Sequence, residues 1–533
     1  MKSIYKSILV FFAFSQLNAA TITVTGNITA NTDWVNTNIY VITGEVYVKS
    51  GATLSIQAGT IIQGDKNSTR PCLIISKGAK IYANGTEALP IVFTSNQPVG
   101  QRNPGDWGGI IILGNGVINI PGGKANIEGL PASTDAEYGG SDNNDSSGVL
   151  RYVRIEFGGI AFAPNQEING LTCGGVGKRT VIENVQVSFS GDDAFEFFGG
   201  AVNAKRLVSY CALDDDFDTD FGFSGNLQFG VCFRSPFLAD VSGSNGFESD
   251  NDAGGTYNAP RTTANISNFT MIGPKATLSS VANSNFKRGA HLKRSTLQSI
   301  FNSVTIGWPI GLFIDGGNCE KAANGDTLTY LNNIIGGCNT KLIASAGAPI
   351  DSSTGMQTWF DTKALGSVIF ATSDSVGLTS PFDSASFNPM PKAGSPALTG
   401  ASFTHARLAG FENVTHRGAF GATNWMSTWA SFTPNANVYK AQTSGISSNS
   451  LDAAIAVYPN PSSTFITIST DLKGQNGQLN IFDMQGRSVL NAVITSNVQN
   501  VSINQLEEGN YLVQIKDASE LLIGVKHIVV KKD

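Results

Sequence analysis

Short runs in which apolar and polar residues alternate, each closed by glycine, set the rhythm of this chain, and such period-two runs predict β-strands. Val46-x-Val48 precedes Ser50-Gly51-Ala52-Thr53-Leu54-Ser55-Ile56, and the phrase returns as Lys77-Gly78-Ala79-Lys80-Ile81-Tyr82-Ala83 about 27 residues on, a spacing typical of solenoid repeats. Val185-x-Val187-x-Phe189 with Asp192-Asp193 lines up with Val208-x-Tyr210-x-Ala212 with Asp215-Asp216, roughly 23 residues later. Met271-Ile272-Gly273, Thr305-Ile306-Gly307 and Ile334-Ile335-Gly336 read as strand ends at intervals of about 30 residues. Hairpin sandwiches would instead place Asn-Gly or Asp-Gly turns every ~8–12 residues. The expectation is therefore an all-β chain built as a right-handed parallel β-helix, with inserts over 122–148 and 160–177. The coils are expected to end near Pro391 to Leu398 and Arg417 to Gly421, with Trp425 and Trp429 covering the open end.

After a Ser/Asn-rich stretch the pattern becomes compact and antiparallel. Phe465-Ile466-Thr467-Ile468, Leu479-Asn480-Ile481-Phe482-Asp483 and Tyr511-Leu512-Val513-Gln514-Ile515 alternate as half-buried strands of a small Ig-like sandwich. Tyr458-Pro459-Asn460-Pro461, Ile481-Phe482-Asp483-Met484-Gln485-Gly486-Arg487, Gly509-Asn510-Tyr511-Leu512-Val513 and the basic end Lys526 to Lys532 occur in order. This module resembles the C-terminal sorting domain of proteins exported by the type IX secretion system of Bacteroidota. The resemblance implies contact with that machinery, passage across the outer membrane and removal of the module. An ordinary Ig-like adhesive repeat is the alternative.

Composition adds a compartment. The 533 residues carry only 14% charged side chains and 59 glycines. Low charge with abundant Val, Ile and Phe argues against disorder, and a net charge of −6 gives no reason to expect nucleic acid. Lys2 and Lys6, the apolar run Ile8 to Phe14 and Asn18-Ala19-Ala20 read as a secretory signal, with a mature start near Ala20 or Thr21. No segment of the mature chain is long and apolar enough to span a bilayer. The expected division is a signal peptide over 1–20, the β-helix over 21–440, a linker over 441–455 and the sorting domain over 456–533. Six dispersed cysteines exclude zinc-type spacing. Cys319 and Cys338 are the candidate disulfide, with buried free thiols as the alternative.

The candidate chemistry is an acidic band: Asp192, Asp193 and Glu196, then Asp214, Asp215, Asp216, Asp218 and Asp220, then Glu248, Asp250 and Asp252. At a 23-residue register Asp192 and Asp193 stack over Asp215 and Asp216. Stacked carboxylates either share protons or hold a cation, and Ca²⁺ is the natural hard partner for such oxygens. The candidate ligands are Asp192, Asp193, Asp215, Asp216, Asp218, Asp220, Glu248, Asp250 and Asp252; a solvated acidic face is the alternative. Gly191-Asp192-Asp193 and Asp218-Thr219-Asp220 resemble motifs of polygalacturonase-type hydrolases, which would make Asp192, Asp193 and Asp215 catalytic. The Gly-His-Gly and Arg-Ile-Lys motifs of that family are missing. A lyase would need a cationic base beside a metal; Lys205 and Arg206 fall on another face, and the run Lys287 to Arg294 reads as solvated. Trp107-Gly108-Gly109, Gly191 to Gly200, Asp214 to Gly222 and Ser244 to Asp252 are similar to a group of exported bacterial β-helix proteins without assigned activity. Two functions stay open: glycan or extracellular-matrix binding and adhesion at the cell surface, stiffened by Ca²⁺, and polysaccharide hydrolysis or lysis along Asp192–Asp220.

Overall fold

The computed structural model describes residues 20–163, 166–345, 350, 353–442, 455–470, 476–517 and 522–532. The expected signal segment and most of the expected linker lie outside the described residues. Two compact units result, one ending at Gln442 and the other beginning at Thr443.

The first unit is a parallel β-helix. Each coil contributes one strand to a ten-stranded parallel sheet, sheet B, and the rest to a longer sheet, sheet A. The repeat noted at Thr53 and Lys80 is a physical stack, since Thr53 to Ile56 pair with Lys80 to Ala83. Inward apolar residues then meet the same type from coil to coil. Phe195, Phe217 and Phe247 form one such column, with ring centroids 5.2 and 5.7 Å apart. Burial of these ladders is the main source of stability.

Sheet A bends within each central coil. Tyr152, Asn184, Arg206, Phe229, Asn268, Asn302 and Asn332 occupy successive coils at this bend with positive φ. Asparagine tolerates that left-handed conformation better than other side chains, which explains its recurrence in the column.

The far end of the helix is closed by two helices, α1 (Gly317–Asn324) and α2 (Ser353–Lys363). Met356, Trp359 and Phe360 of α2 join the core, and the Trp359 indole donates to Ala323 O at 3.2 Å. Trp425 and Trp429, expected there, lie elsewhere. They belong to a strap, residues 395–442, that runs back over sheet A. Asn302 exchanges hydrogen bonds with Ser402 (2.9 and 3.1 Å), Gln228 with Glu412 (2.8 and 2.9 Å) and Gln186 with Ser431 (2.6 and 2.8 Å). Tyr439 donates to Glu156, and Gln442 N reaches Asn36 O in the first coils. Trp429 presses edge-on against Tyr152 because the bend column leaves an apolar flank there.

The second unit is an antiparallel sandwich. A three-stranded sheet (Ile455–Tyr458, Phe465–Thr470, Val498–Ser502) and a four-stranded sheet (Gly477–Asp483, Ser488–Ile494, Gly509–Lys516, Leu522–Val530) share a core of Ile466, Ile468, Leu479, Ile481, Val513 and Ile515.

Candidate functional site: an acidic face on sheet B

One outward column of sheet B can be followed through the pairing: Tyr47, Ile74, Ile111, Thr172, Glu196, Asp218, Glu248, His291, Phe313 and Ile343. Its first part is apolar and covered. The insert after Leu113 lays Ile118, Ile127, Ala136 and Tyr138 against Ile74, Ile111, Leu113 and Phe198. The column then turns acidic at Glu196, Asp218 and Glu248. In Phe195-Glu196, Phe217-Asp218 and Phe247-Glu248 the phenylalanine is buried in the core, so strand alternation aims the acid outward.

The neighbouring position carries a second ladder. Asn169 Oδ1 accepts from Asp193 N at 3.2 Å, Asp193 Oδ1 from Asp215 N at 2.7 Å, and Asp215 Oδ1 from Asn245 N. Each side chain thus satisfies a backbone N–H of the next coil. The observed register is one residue shorter than expected, since Phe195 pairs with Phe217. Asp193 therefore stacks on Asp215 and Asp192 over Asp214.

Three groups of carboxylates converge, each with ligand oxygens within 4.8 Å of one another: Asp192, Asp193 and Asp214; Asp193, Glu196 and Asp218; Asp215, Asp218 and Glu248. Burial, and then the neighbouring carboxylates, push Asp192, Asp193, Glu196, Asp215 and Asp218 well above the usual carboxylate range. Burial raises Asp214 to about 6 and Asp220 to about 8. Glu128, from the covering insert, is raised to about 7 by burial and by Glu167. Glu248 behaves oppositely: burial would raise it, but the His291 hydrogen bond and the Lys293 charge outweigh that and hold it at about 2. Asp214 Oδ1 and Asp218 Oδ1 are buried with no hydrogen-bond partner.

The other candidate ligands are engaged elsewhere. Asp216 turns inward, where wholly buried Arg234 lies 3.2 Å away between Phe286 and Trp308. Asp220 accepts from Phe221 N at 2.5 Å. Asp250 pairs with Arg294 at 2.7 Å, and Asp252 holds its own loop through Gly254 N and Thr256 N, both at 3.0 Å.

Residues 26–367, well over half of the chain, match the pectate-lyase-like β-helix domain family. The chain belongs to that family. Residues 456–531 match the secretion-system C-terminal sorting domain, so this family member is an exported protein, secreted or displayed at the cell surface, and its tail engages the type IX machinery. No helix among the described residues is long and apolar enough to cross a membrane. No curated protein matches the chain. Among solved structures it is similar to the Dettilon tailspike protein, at 10% identity and a TM-score of 0.25 over 60% of this chain, spanning 62% of that one. It is also similar to the enzymatically active domain of tailspike protein 2 of bacteriophage CBA120, at 10% identity and a TM-score of 0.25 over 92% of this chain and 72% of that one.

Sequence reasoning on this family member missed several residues. Glu196 and Asp214, placed in the acidic band but left out of the candidate ligands, belong to the converging groups, and the Phe-acid phrase at equal register was the available signal for Glu196. The run read as solvated borders the acids instead. It forms the sheet B strand Arg288–Leu292, with His291 buried 3.5 Å from Glu248 and 2.9 Å from Asp315, and Lys293 in an ion pair with Glu248. The expected Cys319–Cys338 disulfide is absent, and all six cysteines are buried free thiols. Cys319 follows the sheet B strand Ile310–Ile314, while Cys338 precedes the strand stacked on it. A five-residue strand rising ~3.3 Å per residue separates them, beyond the ~7 Å Cα reach of a disulfide.

Proposed function

We propose that this exported β-helix is a calcium-loaded glycan-binding protein working through the outer face of its central coils. The observation that carries the reading is charge the fold does not need. Asn169 and Asn245 flank Asp193 and Asp215 in the same stack, and Asn169 supplies the ladder oxygen without a charge. Five oxygens from Asp193, Glu196, Asp215, Asp218 and Glu248 fall into overlapping groups no wider than 4.8 Å, a spacing suited to a hard cation with ligands at ~2.3–2.6 Å. A bound cation would neutralise carboxylates that burial otherwise drives to protonate, and glycan oxygens would complete its shell.

Polysaccharide cleavage at the same face is the second reading, favoured by the cationic rim of Lys293 and Arg294. Two features weigh against it. Burial would lower the Lys293 ammonium, but the Glu248 charge outweighs it and leaves Lys293 raised, which suits a general base poorly. An inverting hydrolase separates its carboxyl groups by ~6.5–9.5 Å, wider than these triads. Calcium titration by calorimetry, followed by a glycan panel assayed both for binding and for new reducing or unsaturated ends, separates the readings. Binding without products supports the proposal. Products abolished by Asp193→Asn establish the enzyme, and absence of calcium binding removes the proposed site.

A further inference from the structure

An open groove of about 280 Å³ lies between the strap and sheet A, away from the acidic face. Phe229 and Trp425 give it apolar surfaces, while Arg206, Glu412 and His416 bring hydrogen-bonding groups. Its charges cancel locally. In the lining one cation meets one carboxylate, Arg206 and Glu412 at 3.2 Å; behind them Lys205 reaches Glu412 at 2.8 Å, and Arg206 and Arg151 share Glu183 at 2.6 and 3.3 Å. His416 stacks near Phe229 with centroids 6.1 Å apart, and its Nε2 is buried without a hydrogen-bond partner. Burial holds this imidazole below its usual range, so it is neutral near pH 7.

The backbone marks the same place. In the bend column asparagine stands at Asn184, Asn268, Asn302 and Asn332; Tyr152, at φ 48°, packs on Trp429, and the two adjacent coils between the asparagines carry Arg206 and Phe229 at φ 57° and 61°. Residues that accept an unfavourable backbone region without asparagine's advantage cluster at functional positions. Both of these line the groove. Gly421 lines it too, and a Cβ there would stand 2.7 Å from His416 Nδ1. The groove stays open because that side chain is missing.

We propose that this groove is a second binding site, for a ring of a neutral sugar. Its volume lies just below the ~300–1,000 Å³ of small-molecule pockets, and such pockets pair apolar walls with a few placed polar groups. The aromatic surfaces accept the C–H face of a pyranose, and Arg206, Glu412 and His416 Nδ1, the ring nitrogen beside Gly421, meet its hydroxyls. The balanced charge gives no attraction for an anionic residue. The site is independent of the cation proposed on sheet B.

The test uses the full chain in EDTA, titrated by calorimetry with cello-, manno- and maltotetraose and with a tetragalacturonide as the charged comparison. The expected result is that a neutral oligosaccharide binds and that Trp425→Ala and His416→Phe each weaken it ten-fold or more. His416→Phe keeps a ring against Phe229 while deleting the groove-facing Nδ1, so it decides the matter if Trp425→Ala loosens the strap. Asp193→Asn should leave this binding unchanged. No neutral oligosaccharide binding in EDTA, or binding unaltered by His416→Phe, overturns the proposal.

Discussion

The two faces of the β-helix treat their carboxylates differently. On the sheet A side, Glu183 stands between Arg151 and Arg206, Glu412 of the strap between Lys205 and Arg206, and Glu156 accepts from Tyr439 with Arg154 3.6 Å away. Inside the coils Asp216 has Arg234. On sheet B, Asp193, Glu196, Asp215 and Asp218 stand mainly beside one another, and cations appear only at the Glu248 end. The difference is one of charge: Glu183, Glu412, Glu156 and Asp216 have cations beside them, whereas among the described residues Asp193, Asp215 and Glu196 have only amide donors, which supports the proposed cation.

The largest expected effect comes from breaking a match. Arg234→Met leaves Asp216 buried without its cation and should cost ~3–5 kcal/mol in urea unfolding. Supplying the missing match comes next: calcium at 100 times its dissociation constant should add ~2.7 kcal/mol, read as a higher melting temperature that EDTA reverses.

The unmatched acids also set a pH dependence. Their raised folded-state values mean that the folded chain holds protons which the unfolded chain releases near pH ~4. Stability therefore falls as pH rises, from ~4 through the value of about 6 for Asp214 to about 8 for Asp220. Glu248, at about 2, acts in the opposite sense, and only below the ordinary carboxylate range. Melting in EDTA should drop between pH 5 and pH 8, and calcium should flatten the trend; a flat profile in EDTA would contradict this assignment.

Asp193→Asn is smaller and more pointed. Asparagine keeps the Oδ1 that receives Asp215 N and removes one crowded charge. In EDTA the variant should melt at or above the parent, by up to ~1 kcal/mol, while losing most of the calcium increment. The smallest effect belongs to sheet A. Arg151→Met leaves Glu183 its Arg206 contact, so it should shift stability by no more than ~1 kcal/mol and leave calcium binding alone.

Much of this was legible in the chain. The Ser50 and Lys77 phrases stack residue for residue, and the sorting-domain motifs fall on a sandwich, because both follow from local alternation and turn chemistry. The acidic band was legible as a band. Its members could not be sorted, because a one-residue change of register decides whether Asp215 or Asp216 lies over Asp193. Whether Asp216 faces inward depends on Arg234, 18 residues away. His291 and Lys293 lie a further coil on, in a segment whose composition resembles an ordinary solvated turn. The strap was invisible for a related reason: its hydrogen bonds go to Gln186, Gln228 and Asn302, and no local pattern announces partners 100 or more residues distant.

That strap has a mechanical consequence. Gln442 N bonds to Asn36 O at 2.7 Å, so the β-helix domain releases its chain at the pole where it began, and the pole closed by α2 carries no chain end. Tension applied through the tail would enter at the first coils and peel the strap from that end, one amide pair after another. The acid-bearing coils, on the opposite sheet, would stay out of the load path.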